Sequence, residues 1–320
     1  MRKITFLKLF QNTNVYTFIM VVSKTLGDCP VCGSNNWSVC YSGKIRDGTF
    51  GTSTKKGVTV VSCTCSLQRL ETFALTTSTY EGDEYRLKYN GTIDEDELIE
   101  LHLEEQSSRL VLLGTRNLKG AKVIDIGCGH GAFLDAVSGL AASTIGIEPF
   151  ERLHSSLIAR GHEIYGPSDK RIASLQNSAN FVTSFNVIEH LEDPHEHLVS
   201  AWGMVKPGGQ IIVQTSNLNE ILMLVGAPGF KEFWYRTAHN WYFTPDNLEG
   251  IASKAGLTAI KVSTFHEYSF SNFVNWFRDR KPTGNIDSLG LGSEFETIWK
   301  ANIENSGLGS SIILRATKPA

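Results

Sequence analysis

The run VIDIGCGHGAF, Val123 to Phe133, constrains this chain more than any other segment. Apolar residues lead into an acid, three glycines alternate with other residues, and a helix-like segment follows. That order predicts a buried parallel strand over Ala121 to Ile126 that runs into a tight turn and then a helix. Gly127, Gly129 and Gly131 let the backbone turn sharply and approach a ligand where a Cβ would stand in the way. A second short strand, Ser143 to Ile147, ends in Glu148, placed to accept from both hydroxyls of a ribose. A glycine turn after a strand is shared by many nucleotide binders. The segments FNVIEHLEDP (Phe185 to Pro194) and VKPGGQIIVQT (Val205 to Thr215) narrow the choice.

In that order and at that spacing, the series resembles the class I S-adenosylmethionine-dependent methyltransferases, over roughly Lys119 to Pro319. The resemblance implies that Asp125 lies near the methionine amino group and that Gly127, Gly129 and Gly131 border the methionine end and the ribose. It implies that Glu148 binds the ribose and that Asn186 to His190 flank cofactor and acceptor, with Asn186 and Val187 as cofactor contacts. Cys128, common inside this motif, is expected to pack beside the cofactor without acting as a nucleophile. The main rival is an NAD-type oxidoreductase, whose turn holds a pyrophosphate on backbone amides. Here an acid stands two residues before the first glycine, a poor neighbour for a diphosphate and a good one for an ammonium.

Strand and helix patterns alternate beyond this point. His162 to Tyr165, Asn180 to Ser184, Gln210 to Thr215, Leu257 to Thr264 and Ser311 to Thr317 read as the remaining strands. The expected fold is therefore α/β: a doubly wound, mostly parallel, seven-stranded Rossmann-like methyltransferase sheet. In that family the final strand inserts antiparallel beside the sixth, and ligands sit outside the carboxyl ends of the strands.

The division expected along the chain is a tail over 1–24, disordered or adventitious, and a zinc-ribbon-like module over 25–78. An acidic helical connector over 79–118 and a methyltransferase domain over 119–320 follow. Two long connections, 217–241 and 265–309, read as lids or binding loops. In the second, Phe270, Phe273, Val274 and Phe277 share one helical face, a stripe that reads as core packing before substrate contact. No apolar run near the N-terminus is long enough to span a bilayer, and no export signal is convincing, so a cytoplasmic location is expected. The net charge of −3 and the lack of any lysine- or arginine-rich run argue against a broad nucleic-acid-binding face.

Six cysteines in such a chain read better as metal ligands than as disulfides. Cys29-Pro-Val-Cys32-Gly33 has the CxxC spacing of a zinc knuckle, and Cys63-Thr-Cys65 supplies the second pair as CxC. On a strand, alternate residues point to one side, so both sulfurs can reach one structural zinc ion. Cys40 is a possible substitute ligand. This arrangement resembles bacterial methyltransferases that carry an N-terminal zinc-binding module, several of which act on nucleotide sugars. The resemblance implies a sugar-like acceptor, with Tyr80, Glu84 and Tyr85 of TYEGDEYRLKY as substrate contacts. Members that methylate carbon usually carry a further C-terminal domain, so O-methylation is expected over C-methylation.

Methyl transfer to a hydroxyl needs a proton acceptor beside the acceptor oxygen. His190 is the first choice, as an imidazole near its ordinary pKa, and His239 in AHNWYFTPDNL is the second. EHLEDPHEH, Glu189 to His197, packs histidines and acids together but reads as a solvated helix start, because Pro194 begins a new helix. The chain is thus expected to be an S-adenosylmethionine-dependent enzyme acting on a small molecule. The other readings are an oxidoreductase and a catalytically silent binding protein of the same fold.

Overall fold

The computed structural model describes residues 26–320, so the expected tail over 1–24 lies outside the described residues. Among the described residues, eleven strands form two sheets. The larger sheet is built from β4 (Lys122–Ile126), β5 (Ser143–Ile147), β6 (Glu163–Tyr165), β7 (Ala179–Phe185), β8 (Val205–Ser216), β10 (Lys261–Phe265) and β11 (Ser311–Thr317), in the order β10-β11-β8-β7-β4-β5-β6. β4 pairs parallel with β5 and β7, and β7 parallel with β8. β11 lies antiparallel between β8 and β10. This is the expected seven-stranded Rossmann-like methyltransferase sheet. Its central strands are apolar on both faces, as a sheet covered by helices requires: Val123, Ile124, Ile145, Val182, Ile211 and Val213 are all fully buried.

The smaller sheet consists of β1 (Trp37–Gly43), β2 (Val58–Cys63), β3 (Gln68–Leu70) and β9 (Trp241–Tyr242), in that order. Its fourth strand follows the third by about 170 residues, at the end of the first long connection. Arg69 pairs with Trp241 and Gln68 with Tyr242. Cys29, Trp37, Val61, Cys63 and Leu67 share one core with Leu248, Ile251 and Ala252 of helix Pro245–Lys254. The small sheet is thus fastened to the large one by backbone pairing and by common apolar burial.

Three expectations need correction. The strand at 257–264 begins only at Lys261, because Gly256 and Ala259 adopt positive φ and delay the extended backbone. Cys65 does not lie on a strand: β2 ends at Cys63, and a turn with Ser66 at φ +71° carries Cys65. The aromatic stripe is also only partly core. Phe270 and Phe273 pack on Phe295 and Trp299 of helix Ser293–Asn305, while Phe277 is 47% exposed. The buried side of helix Phe270–Asp279 is instead Ser271, Asn272, Asn275 and Trp276, because its polar groups satisfy the adjoining loop through Thr283, Asp287 and Ser288.

The acidic stretch before β4 folds as helices Asp83–Tyr89 and Glu95–Leu113, the latter capped by Asp94, whose side chain accepts from Glu97 N–H. No helix among the described residues is long and apolar enough to cross a membrane.

Candidate active site

A cavity of about 630 Å³ opens at the carboxyl ends of β4, β5, β7 and β8. Gly127 (φ +75°) and Gly131 (φ +82°) line or border it, and each position excludes a side chain. A Cβ on Gly127 would lie 2.4 Å from Val187 Cγ2, and one on Gly131 would lie 2.3 Å from Leu157 Cδ2. Cys128 is buried with its sulfur against Gly146, where a Cβ would come within 2.5 Å. Burial raises this thiol far above its ordinary pKa, which suits packing and not nucleophilic attack.

Glu148 stands at the end of β5, 3% exposed. Its Oε2 accepts from Gly129 N–H at 2.8 Å, and its Oε1 accepts from Phe150 N–H at 2.9 Å and Arg86 Nη2 at 2.8 Å. The Arg86 guanidinium also lies 3.9 Å over the Phe150 ring. The ribose-binding carboxylate expected from the sequence is therefore held in place from below by backbone amides, with an arginine of the connector helix as its counter-ion.

Asp125, 3% exposed, accepts from Thr183 Oγ1 at 2.7 Å. Burial pushes its carboxyl up to about 7, and no cation lies within 4 Å of it among the described residues. Asn186 (φ +56°) and Val187 complete this end of the cavity. A glycine cradle, a buried acid without its own cation and a second acid on the cavity lining fit S-adenosylmethionine. Asp125 would hold its ammonium and Glu148 its ribose.

At the other end, the 3₁₀ turn Ile188–His190 meets the segment leading into β9. Asn240 locks the two together: its N–H donates to Glu189 O at 2.8 Å and its side-chain amide to His190 O at 2.8 Å. The candidate bases His190 and His239 thereby become neighbours, with ring centroids 4.9 Å apart. Their hydrogen-bond partners distinguish them. His190 Nδ1 lies 2.6 Å from Ala238 O, which can only accept, so Nδ1 carries the proton and Nε2 keeps a lone pair. Arg236 Nε donates to His239 Nε2 at 2.6 Å, which assigns the remaining proton to Nδ1, facing Ser216 Oγ at 3.4 Å. His239 has no lone pair left.

His190 is not an imidazole near its ordinary pKa. Burial, aided by the charge of Arg236, pulls it down to about 3, so it stays neutral. Glu189, which the sequence places in the motif but does not mark as a base, moves the opposite way. It is 1% exposed, burial pushes it up to about 7, and its Oε2 has no partner. Donor atoms of Glu189, His190 and His239 all lie within 4.8 Å of one another, but the commitment of His239 Nε2 to Arg236 disfavours a metal ion there. Arg236, bonded to His239, already brings a positive charge to that point.

Tyr80 and Tyr85 line the same end, and Tyr80 O–H donates to Ala238 O at 3.2 Å. Glu84 is exposed and outside the lining; one residue from Tyr85 on the helix, it faces away from the side that Tyr85 presents. Arg86, Arg46 and Arg236 also line the cavity, and no motif marked them. Asp193 caps helix Pro194–Met204 as expected, but the segment is not solvated throughout: Glu189 and His190 are buried, and His197 turns inward to the cavity with Nε2 beside Ser184 Oγ at 3.0 Å.

Behind this end lie the cysteines. The sulfurs of Cys29, Cys32, Cys63 and Cys65 are all within 4.8 Å of one another, with Cys29–Cys65 at 3.6 Å and Cys32–Cys63 at 3.4 Å. A tetrahedron with Zn–S bonds of about 2.3 Å has edges of about 3.8 Å, so the donor set fits zinc. The two turns are built alike. Cys29 N–H donates to Ser34 O and Gly33 N–H to Cys29 O; Cys63 N–H donates to Leu67 O and Ser66 N–H to Cys63 O. The second turn is one residue shorter, which is how CxC matches CxxC. Cys40 lies apart, on β1, with its sulfur near Val60 O.

A family model described as a methyltransferase domain matches residues 99–262. The chain is 28% identical over 166 residues to a ubiquinone biosynthesis O-methyltransferase of Cereibacter sphaeroides, covering 48% of this chain and 67% of the relative. It is 28% identical over 176 residues to the mitochondrial ubiquinone biosynthesis O-methyltransferase of Rattus norvegicus, covering 50% of each. Among solved structures, a SAM-dependent methyltransferase from Archaeoglobus fulgidus aligns with a TM-score of 0.48 and 20% identity, over 73% of this chain and 98% of that one.

Proposed function

Because the chain belongs to the methyltransferase-domain family, whose model spans residues 99–262 of its 320, and is an S-adenosylmethionine-dependent methyltransferase, we propose that it methylates a hydroxyl oxygen of a small cyclic acceptor. The observation that carries this reading is the pairing of a lone-pair-bearing His190 with the half-unpartnered Glu189 in the cavity that also holds Asp125 and Glu148.

When bound, S-adenosylmethionine supplies a methyl group on a sulfonium. Asp125 and Glu148 fix the donor, and Tyr80, Tyr85, Phe233 and Trp234 enclose the acceptor ring. The acceptor oxygen forms the new bond to the methyl carbon as the sulfur–methyl bond breaks, with that electron pair going to sulfur. The hydroxyl proton passes to Glu189, which is poised near neutrality, either directly or by way of His190 Nε2. His239 acts as a positioning residue, held by Arg236 and Ser216.

The names of the relatives favour a phenolic ring. A sugar ring is the second reading, favoured by Tyr80 and Tyr85 of the connector, which line the cavity beside the cysteine module. We assign structural zinc to Cys29, Cys32, Cys63 and Cys65. Cys40 and Cys128 lie outside that set, and no disulfide joins any of the six cysteines.

Titration with S-adenosylhomocysteine tests the donor site, and micromolar binding is expected. Transfer of labelled methyl to catechols and to nucleotide sugars then tests the acceptor. Labelled product from neither class, in protein that binds the cofactor product, would overturn the acceptor reading.

A further inference from the structure

We infer that the acceptor carries an oxyanion, a carboxylate or a phosphate, and that Arg46 and Arg236 form its binding subsite. This rests on the methyltransferase reading for which end of the cavity receives the acceptor, and it adds a charge requirement that no relative's name implies.

Arg46 comes from the loop after β1 and Arg236 from the connection that precedes β9. Their backbones meet in an isolated parallel bridge, with Arg46 N–H donating to Tyr235 O and Thr237 N–H to Arg46 O. Two guanidiniums are thus set side by side on the lining of one cavity. Like charges set so are costly unless an anion comes between them.

Among the described residues nothing is. Neither arginine has a carboxylate within 4 Å. The neighbouring acid, Asp47, is committed elsewhere: it pairs with Lys88 at 2.6 Å and accepts from Thr237 Oγ1 at 2.6 Å. Among the described residues the Arg46 side chain makes no hydrogen bond, and its Nε is buried without a partner. Its guanidinium stacks 4.4 Å over the Phe233 ring, which fixes the plane of the fork. Arg236 spends one N–H on His239 and keeps the rest. Burial, with the charge of Arg236 beside it, lowers the Arg46 pKa to about 10, the mark of a cation short of a counter-ion.

A planar fork with free donors matches a carboxylate or phosphate bidentately. The anion would sit past the acceptor hydroxyl as seen from Asp125, so the pair would set which end of the acceptor enters first.

Calorimetric titration of protein preloaded with S-adenosylhomocysteine tests this with three probes. Inorganic pyrophosphate stands for a phosphate source, 3,4-dihydroxybenzoate for a carboxylate source, and 3,4-dihydroxybenzyl alcohol for the uncharged control. At least one anion should bind at millimolar concentration or tighter, and the one that binds names the source. Arg46→Gln should weaken that anion about tenfold or more and leave S-adenosylhomocysteine binding unchanged, which also reports correct folding. Arg46→Lys should retain part of the affinity. Failure of both anions to bind protein that takes up S-adenosylhomocysteine would overturn the inference, as would undiminished binding in an Arg46→Gln, Arg236→Gln double variant. Anion binding without S-adenosylhomocysteine binding would uphold the subsite and sink the methyltransferase reading instead.

Discussion

Two acids at opposite ends of one cavity show how burial assigns different tasks to the same side chain. Burial pushes the Glu148 carboxyl above its ordinary value, and two backbone N–H groups and a guanidinium work against that rise. Substituting Glu148 by alanine should weaken S-adenosylhomocysteine binding about tenfold or more, because charge-assisted hydrogen bonds are worth about 1.5–3 kcal/mol each. An unchanged calorimetric affinity would refute the ribose assignment. Glu189 receives no comparable support, and its carboxyl sits at about 7. If it takes the proton, kcat should rise with pH through that value and level off above it, since only the ionised form accepts. Glu189→Gln should lower kcat about 10²- to 10⁴-fold and remove that rise from the pH profile, whereas a purely structural role would leave its shape intact. Asp125, Glu148 and His190 were legible in the sequence because each sits within a local strand–turn pattern. Arg46, Arg86 and Arg236 were not, because their roles depend on contacts between segments far apart in the chain. Glu189 was visible beside His190 but lacked any sequence sign of its burial.

At the scale of elements, the alternation of strands and helices made the large sheet readable, down to the limits of β5 and β11. What pattern could not show was that a two-residue strand, β9, would leave the large domain and complete the small sheet. Two residues carry too little periodicity to register. Yet this pairing places His239 and Asn240, and so links the cysteine module to the active site. Asn247, on the helix after β9, reinforces the link by donating to Cys65 O at 2.8 Å. Cys32→Ser, at the exposed corner of the cluster, should therefore lose zinc, measured by atomic absorption. It should also lower kcat by about 10²-fold through misplacement of His239. Binding of S-adenosylhomocysteine, built from the β4 and β5 ends, should change little. Equal losses in both would mean general unfolding; full activity in a zinc-free variant would separate the module from catalysis.

The molecule as a whole keeps an unusual number of ionisable groups out of water, and their directions set its response to pH. Burial raises the carboxyls of Asp125, Glu189 and Glu267 to about 7 and that of Glu220 to about 8. Each of these is protonated in the fold at pH values where the unfolded chain has already lost the proton. They contribute stability below their unfolded values near 4, and that contribution is lost as pH rises through 7 to 8. Burial has the opposite effect on His130 and His190, at about 3, and on His197 and His266, at about 4. These favour the unfolded state in acid and stop mattering above its value of about 6.5. His239, lowered by burial as well, joins the second set, so the two nearly offset each other between pH 4.5 and 6.5 with a small net gain as pH rises; above that the four carboxyls dominate, opposed by the Cys32 thiol, which is lowered to about 7. The melting temperature of the ligand-free protein should therefore peak at about pH 6 to 7 and fall by several degrees towards pH 8, measured by thermal denaturation at fixed ionic strength. S-adenosylmethionine should reduce the fall, because its ammonium stabilises the ionised form of Asp125, one of the four groups responsible. S-adenosylhomocysteine, which keeps that ammonium, should do the same. A melting temperature that rises steadily from pH 6.5 to 8 would show that the buried carboxyls are ionised in the fold, and the rise of kcat through pH 7 expected for Glu189 would then be absent as well.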